Sequence, residues 1–263
     1  MFWRRAIMNI RLGKTHSSCE IGSWFIKWSQ PGKYGCRLLR EYSVYLSLAN
    51  AEYQFIPWPV RYFFSMGFSC LILPAKFCSG CMTDFYTSMK RSVQELHSIQ
   101  YPSRLGFGWI KSNARLQGEY SSWEKFLQEY VSKYLNRLDL LEKKHIFNEY
   151  IQQVCLSITS PHSGVIHRDL KEANWLFVLS EGQVYLIDWE NAMLVPSSHI
   201  YQIEAAMYAV TYGIENDIFD ILFNGMVSDN LFRIYGKIFN LGAMSFSLEH
   251  NTDLPRDIDE LIN

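Results

Sequence analysis

Three oxygen-bearing side chains in one short stretch define the chemistry this chain could do. The stretch runs His167-Arg168-Asp169-Leu170-Lys171-Glu172-Ala173-Asn174, then the apolar run Trp175 to Leu179 and a turn through Gly182. A second apolar run, Val184 to Ile187, closes on Asp188. Two apolar runs flanking a glycine-containing turn predict a β-hairpin. Asn174 enters its first strand and Asp188 leaves its second. Facing residues on paired antiparallel strands lie about 4.5–5.5 Å apart, so these two side chains are expected side by side. Asp169, one short loop upstream, is expected to face the same point. A carboxylate beside a carboxamide suits Mg²⁺, which takes oxygen ligands and completes its shell with water and phosphate oxygens. Asp169 would then orient, or accept the proton of, an attacking hydroxyl. Phosphoryl transfer asks a protein for that kind of positioning and charge neutralisation. His167 is read as a residue that packs and holds the loop, not as the base. Any one of these residues alone would more often be a turn or strand-end residue; the joint spacing favours function.

Positioning such a cluster needs a framework, and the first third of the chain reads as strands. Ala6–Ile10, Ser18–Ile21 and Trp24–Trp28 are predicted strands, punctuated by Gly13, Gly22 and Pro31-Gly32. Helical spacing follows over Cys36–Leu48. Val60–Phe64 and Phe68–Leu73 then predict two more strands about Met66-Gly67. Beyond Gly80 the pattern turns helical: Thr83–His97, a long stripe over Ser121–Lys144 opened by a Ser121/Glu124 capping box, then Ile146–Ile158, Ile200–Tyr212 and Leu231–Phe246. The expected class is α+β with two lobes, a small antiparallel N-terminal lobe over residues 1–76 and a larger, mainly helical lobe over 77–263.

These residues resemble a known family. His167-Arg168-Asp169-Leu170-Lys171-x-x-Asn174 looks like the catalytic loop of the protein-kinase superfamily. Ile187-Asp188-Trp189-Glu190 resembles the metal-binding strand of its aminoglycoside phosphotransferase and choline-kinase branch. Phe25-Ile26-Lys27 is similar to the strand carrying the phosphate-binding lysine, and Arg40–Leu48 to the helix whose glutamate pairs with it. Ile56–Val60, Leu96-His97-Ser98 and Leu105–Trp109 extend the likeness, which runs from about Leu12 to Ala192. The resemblance implies a protein-kinase-like fold, ATP and Mg²⁺ as cofactors, and roles residue by residue. Asp169 would be the catalytic base or hydroxyl orienter and Asn174 and Asp188 the metal ligands. Lys27 would contact the α/β-phosphates, Glu41 would be its ion-pair partner, and Lys171 would steady the γ-phosphate. The chain lacks a G-x-G-x-x-G phosphate loop, for which Leu12–Cys19 is the candidate substitute. After Ala192 it also lacks the aspartate the family usually shows.

Composition sets outer bounds. The 263 residues are 48% apolar and 19% charged, with a formal net charge of −1, enough for a sizeable core. That balance gives no footprint for nucleic acid or an anionic membrane. No secretory signal or spanning segment is read, and six cysteines without a framework, Cys78-x-x-Cys81 included, fit reduced cytoplasmic thiols. No Ala-Pro-Glu follows Asp188, and only 75 residues remain. About 90 residues separate the connector from Asp169, and the resemblance implies that they hold the helical insertion that forms a small-molecule acceptor site in the aminoglycoside branch. The expected partner is therefore a small hydroxylated acceptor, of the aminoglycoside, choline or amino-alcohol kind. A protein acceptor is the alternative within the enzyme class. A non-catalytic nucleotide- or partner-binding module is the alternative outside it. The acidic tail with Asp253, Asp257, Asp259 and Glu260 reads as solvated, and nothing in the chain specifies an oligomeric state.

Overall fold

The first third of the chain folds into an antiparallel sheet with one helix laid against it. The computed structural model describes residues 9–12, 17–21, 24–29, 35–57, 59–65, 68–74, 82–113, 115–178, 183–215, 217–227 and 229–252. Strands β1 (Asn9–Leu12), β2 (Ser17–Ile21) and β3 (Trp24–Ser29) precede helix α1 (Gly35–Asn50), and β4 (Arg61–Ser65) and β5 (Phe68–Pro74) follow it. The sheet order is β1-β2-β3-β5-β4. Along β3 the side chains of Lys27 and Ser29 are buried on one face, and Lys27 stands in register between Ser18 of β2 and Leu71 of β5. Helix α1 packs on β3, β4 and β5 through Leu38, Glu41, Tyr45 and Leu48, a 3.6-period stripe that is buried throughout. A glutamate thus occupies a core position of α1.

The chain continues through α2 (Met82–Ser98), β6 (Tyr101–Pro102), β7 (Phe107–Ile110), β8 (Gly118–Tyr120), α3 (Trp123–Arg137), α4 (Lys144–Leu156) and β9 (His162–Ile166). Then come β10 (Trp175–Val178), β11 (Gln183–Leu186), β12 (Met193–Pro196), α5 (Ile200–Tyr212), α6 (Asp217–Phe223) and α7 (Asp229–His250). Contacts divide the chain into two compact units. One holds the described residues of Met1–Glu95 with Ile110–Gln117 and Asp169–Ala192; the other holds Leu96–Trp109, Gly118–Arg168 and the described residues from Met193 on. The hairpin β10–β11 belongs to the first. The second is mainly helical, its core built by Trp123, Phe126 and Leu127 of α3, Val154 of α4, Ile203 of α5 and Tyr235 and Ile238 of α7. It also carries a five-stranded sheet of order β6-β9-β12-β7-β8, which the sequence reading did not foresee. Its strands are two to five residues long, too short for a period-2 pattern to register.

Two further expectations are corrected. The stripe over Ser121–Lys144 is not one helix: α3 ends at Arg137 because Asp139 turns left-handed, φ 56°. The Leu140 N–H then bonds Leu135 O at 2.9 Å and the Asp139 N–H bonds Asn136 O at 3.4 Å, the paired closure of a Schellman end with aspartate in the usual glycine position. The N-cap is Ser122, not Ser121: its Oγ accepts the Lys125 N–H at 3.2 Å. The predicted 76/77 seam, residues 13–16 of the Leu12–Cys19 loop, the Cys78/Cys81 pair and the acidic tail lie outside the described residues. Among the described residues no helix is long and apolar enough to cross a membrane, and Cys19, Cys70 and Cys155 are free thiols.

Candidate active site

Lys27 emerges on the buried face of β3 opposite the stripe of α1, and the chain answers its charge twice. Its Nζ donates to both carboxylate oxygens of Glu41 at 3.0 Å and to Asp188 Oδ1 at 2.8 Å. Lys27 and Glu41 are buried, whereas 24% of the Asp188 side chain is exposed. Burial alone would lower the pKa of the Lys27 ammonium, but the Glu41 and Asp188 carboxylates outweigh it and leave it raised. Lys27 is therefore charged, and buried charges persist only where such partners surround them. Burial also raises the Glu41 carboxyl, against the opposing pull of Lys27. Tyr45, one turn after Glu41, stacks edge-on to Trp189 with ring centroids 6.5 Å apart. Burial holds its hydroxyl protonated well past its ordinary range.

Asp188 sits where β11 leaves its ladder. Its backbone is left-handed, φ 72° and ψ 52°, a conformation that costs a non-glycine residue about 1–3 kcal/mol and is best tolerated by Asp and Asn. The turn that follows, Trp189–Asn191, is pinned to α1. Arg37 reaches Glu190 Oε1 and Arg40 reaches the Glu190 carbonyl, each at 3.4 Å. The Trp189 indole N–H bonds back to Leu186 O at 3.0 Å.

The other half of the site is local in sequence. Lys171 Nζ donates to Asp169 Oδ2 at 2.8 Å. The Asn174 side-chain amide donates to the Asp169 carbonyl at 2.7 Å, and the Asn174 N–H bonds Lys171 O at 2.9 Å. Trp175 Nε1 donates to Leu170 O at 3.1 Å. These bonds wind residues 169–174 into a tight loop ending in a single 3₁₀ turn, Glu172–Asn174. With its NH₂ committed, the Asn174 amide presents its oxygen as the remaining acceptor. Hairpin register pairs Trp175 with Leu186, and the Ile187 N–H bonds Asn174 O at 3.0 Å. Asn174 therefore faces Ile187, with Asp188 one residue beyond. An amide oxygen and a partly exposed carboxylate at one hairpin end are hard donors that fit a magnesium ion.

Sequence-predicted residues thus fall into two bonded sets, Lys27–Glu41–Asp188 and Asp169–Lys171–Asn174, joined by the hairpin. His167 is fully buried, as its packing role predicts. The sequence reading missed Glu204 of α5, whose carboxylate accepts the backbone N–H groups of His167 and Arg168. The available signal was a lone acidic residue in an otherwise uncharged, apolar helix, which must find a partner when buried.

Residues 83–198 match the model of the phosphotransferase enzyme family, known as APH. That stretch contains Asp169, Lys171, Asn174 and Asp188 but neither Lys27 nor Glu41. A probable serine/threonine-protein kinase of Saccharomyces cerevisiae is 34% identical over 84 residues, covering 32% of this chain and 20% of that protein. The chain thus spans about a fifth of that relative's length. Among solved structures, a Haemophilus somnus protein assigned as a fructosamine-3-kinase superposes with a TM-score of 0.63 at 16% identity, covering 97% of this chain and 91% of that one. The choline kinase LicA of Streptococcus pneumoniae gives 0.52 at 17% identity, covering 92% and 85%. A spectinomycin phosphotransferase solved with ADP and spectinomycin gives 0.53 at 13% identity, covering 97% and 87%. These likenesses establish an α+β protein-kinase-like fold. The resemblance to the aminoglycoside phosphotransferase and choline-kinase branch, read first from the motifs, is borne out by the family model and by the fold.

Proposed function

We propose that the protein is a phosphotransferase that moves the γ-phosphate of ATP to the hydroxyl of a small acceptor of the aminoglycoside, choline or amino-alcohol kind. The observation that carries this reading is the convergence of Lys27, Glu41 and Asp188 in one ion-pair network, from positions 14 and 161 residues apart. A buried, charged lysine held by two carboxylates is costly for stability alone, and it is what a nucleotide's α/β-phosphates need. The spectinomycin phosphotransferase of similar fold binds ADP, which supports a nucleotide as the donor.

In this reading Lys27 contacts the α/β-phosphates and Glu41 keeps it aimed. Asn174 and Asp188 would hold Mg²⁺, which when bound neutralises phosphate oxygens. Asp169 accepts the proton of the acceptor hydroxyl as its oxygen forms the new bond to the γ-phosphorus. The bond from that phosphorus to the β,γ-bridging oxygen breaks, and ADP leaves. Lys171, already paired with Asp169 at 2.8 Å, steadies the γ-phosphate. That lysine, with the partial match to a yeast protein described as a serine/threonine kinase, favours a protein hydroxyl as the second reading.

Purified protein with Mg-ATP and a panel of aminoglycosides, choline and amino-alcohols should release ADP with at least one of them. Release only with a protein acceptor would select the second reading. Stabilisation by Mg-ATP with no turnover on any acceptor would reject the enzyme.

A further inference from the structure

We infer that Tyr45 is a positioning residue for Lys27, its hydroxyl taking over one oxygen of the Glu41 carboxylate when the lysine turns to a nucleotide. The inference rests on the reading of Lys27 as the contact for the α/β-phosphates. Lys27 Nζ carries three N–H donors, and all three are committed, two to the Glu41 oxygens at 3.0 Å and one to Asp188 Oδ1 at 2.8 Å. Meeting two phosphate groups therefore takes two of these bonds, one from Asp188 and one from Glu41. The Asp188 carboxylate is partly exposed, so water or a metal ion can answer it. Glu41 is fully buried, and a carboxylate oxygen left without a donor there is costly.

The replacement donor is one helical turn away. Tyr45 follows Glu41 on the buried stripe of α1 and is itself fully buried. Its ring lies edge-on to Trp189, the residue after Asp188, and Trp189 is met edge-on from another side by Tyr53, with centroids 6.4 Å apart. The Tyr45 hydroxyl has no hydrogen-bond partner, and it is flanked by the Glu41 carboxylate and the main chain of Asp188. A hydroxyl buried in that state costs stability that a phenylalanine at the same position would not. The chain thus keeps an unused donor beside the one carboxylate that must give a donor up. What the hydroxyl adds is a second hold on Glu41, so that the lysine stays aimed after it has turned to the phosphates.

Nucleotide affinity and the unfolding of ligand-free protein, measured side by side, test this. Tyr45→Phe keeps the ring and removes only the hydroxyl. Its affinity for Mg-ADP, by calorimetric titration, should fall about tenfold, as expected for loss of a hydrogen bond to a charged group. Its ligand-free thermal midpoint should hold or rise, because the hydroxyl has no partner in that state. In a Glu41→Ala background the same substitution should cost no further affinity, since the two groups act as a pair. Unchanged affinity in Tyr45→Phe would overturn the inference, and a lowered ligand-free midpoint beside it would make Tyr45 a packing residue only. An equal loss of affinity in the Glu41→Ala background would also overturn it, by giving the hydroxyl another partner. If wild-type protein binds neither Mg-ADP nor Mg-ATP, the nucleotide reading fails and this inference falls with it, so the wild-type titration tells the two failures apart.

Discussion

The two halves of the candidate site are built on opposite plans. Lys27, Glu41 and Asp188 come from β3, α1 and the end of β11, and their bonds are buried or partly buried. Asp169, Lys171 and Asn174 lie within six residues of one another, and 44% of the Lys171 side chain is exposed. The first half exists only when the sheet and helix of its unit are assembled. The second is wound largely by its own backbone and side-chain bonds. Damage to the first should therefore register as lost stability, and damage to the second as lost chemistry in an intact fold.

The largest test of that contrast is Glu41→Ala. It strips a buried ammonium of its main partner, and breaking a buried pair typically costs about 3–5 kcal/mol. Because Asp188 still holds Lys27, the lower end is expected, read as a fall in the urea midpoint. A cost below about 1 kcal/mol would show that the buried network is no more structural than a surface pair. Asp169→Asn comes next and should do the reverse. Turnover should drop by at least about 10²-fold, the low end for a lost general base, with the urea midpoint nearly unmoved. Turnover that survives in Asp169→Asn would remove Asp169 from the mechanism. Lys171→Ala is smaller still. Its ion pair is substantially exposed, so stability should change by less than about 1 kcal/mol, and a larger shift in the unfolding midpoint would move Lys171 into the structural half.

Legibility followed the same divide. The loop motif was readable because its partners are sequence neighbours at fixed offsets. Lys27 and Glu41 were readable only through the resemblance, yet both stand where a charge must be answered, one on a buried strand face and one in an apolar helical stripe. Glu204 gave a like signal, but nothing in its spacing named His97, 107 positions away, or the loop 36 or 37 positions away. The break after Arg137 was hidden because Asp139 takes a left-handed turn without the glycine that usually marks one. The hairpin itself was foreseen, although Asn174 faces Ile187 because Asp188 has already left the ladder in a left-handed conformation.

The smallest expected effect lies away from both halves and serves as their control. His199 is 2% exposed and closes a buried chain of hydrogen bonds in the helical unit. The Trp123 indole N–H donates to the Tyr235 hydroxyl at 3.1 Å. That hydroxyl's one proton can then go to His199 Nδ1 at 2.9 Å, and His199 Nε2–H donates to Ser157 O at 3.1 Å. Protonating Nδ1 would set an N–H against that hydroxyl proton. Burial lowers the His199 pKa from its ordinary 6.5, with the Ser157 carbonyl opposing. The unfolded chain therefore binds the proton first as pH falls, so this stability is intact above about 6.5 and is lost on acidification toward the lower, folded value. The thermal midpoint should decline between pH 7 and 5.5 in wild type and decline less steeply in His199→Gln. Equal slopes in wild type and His199→Gln would mean that the acid sensitivity arises elsewhere.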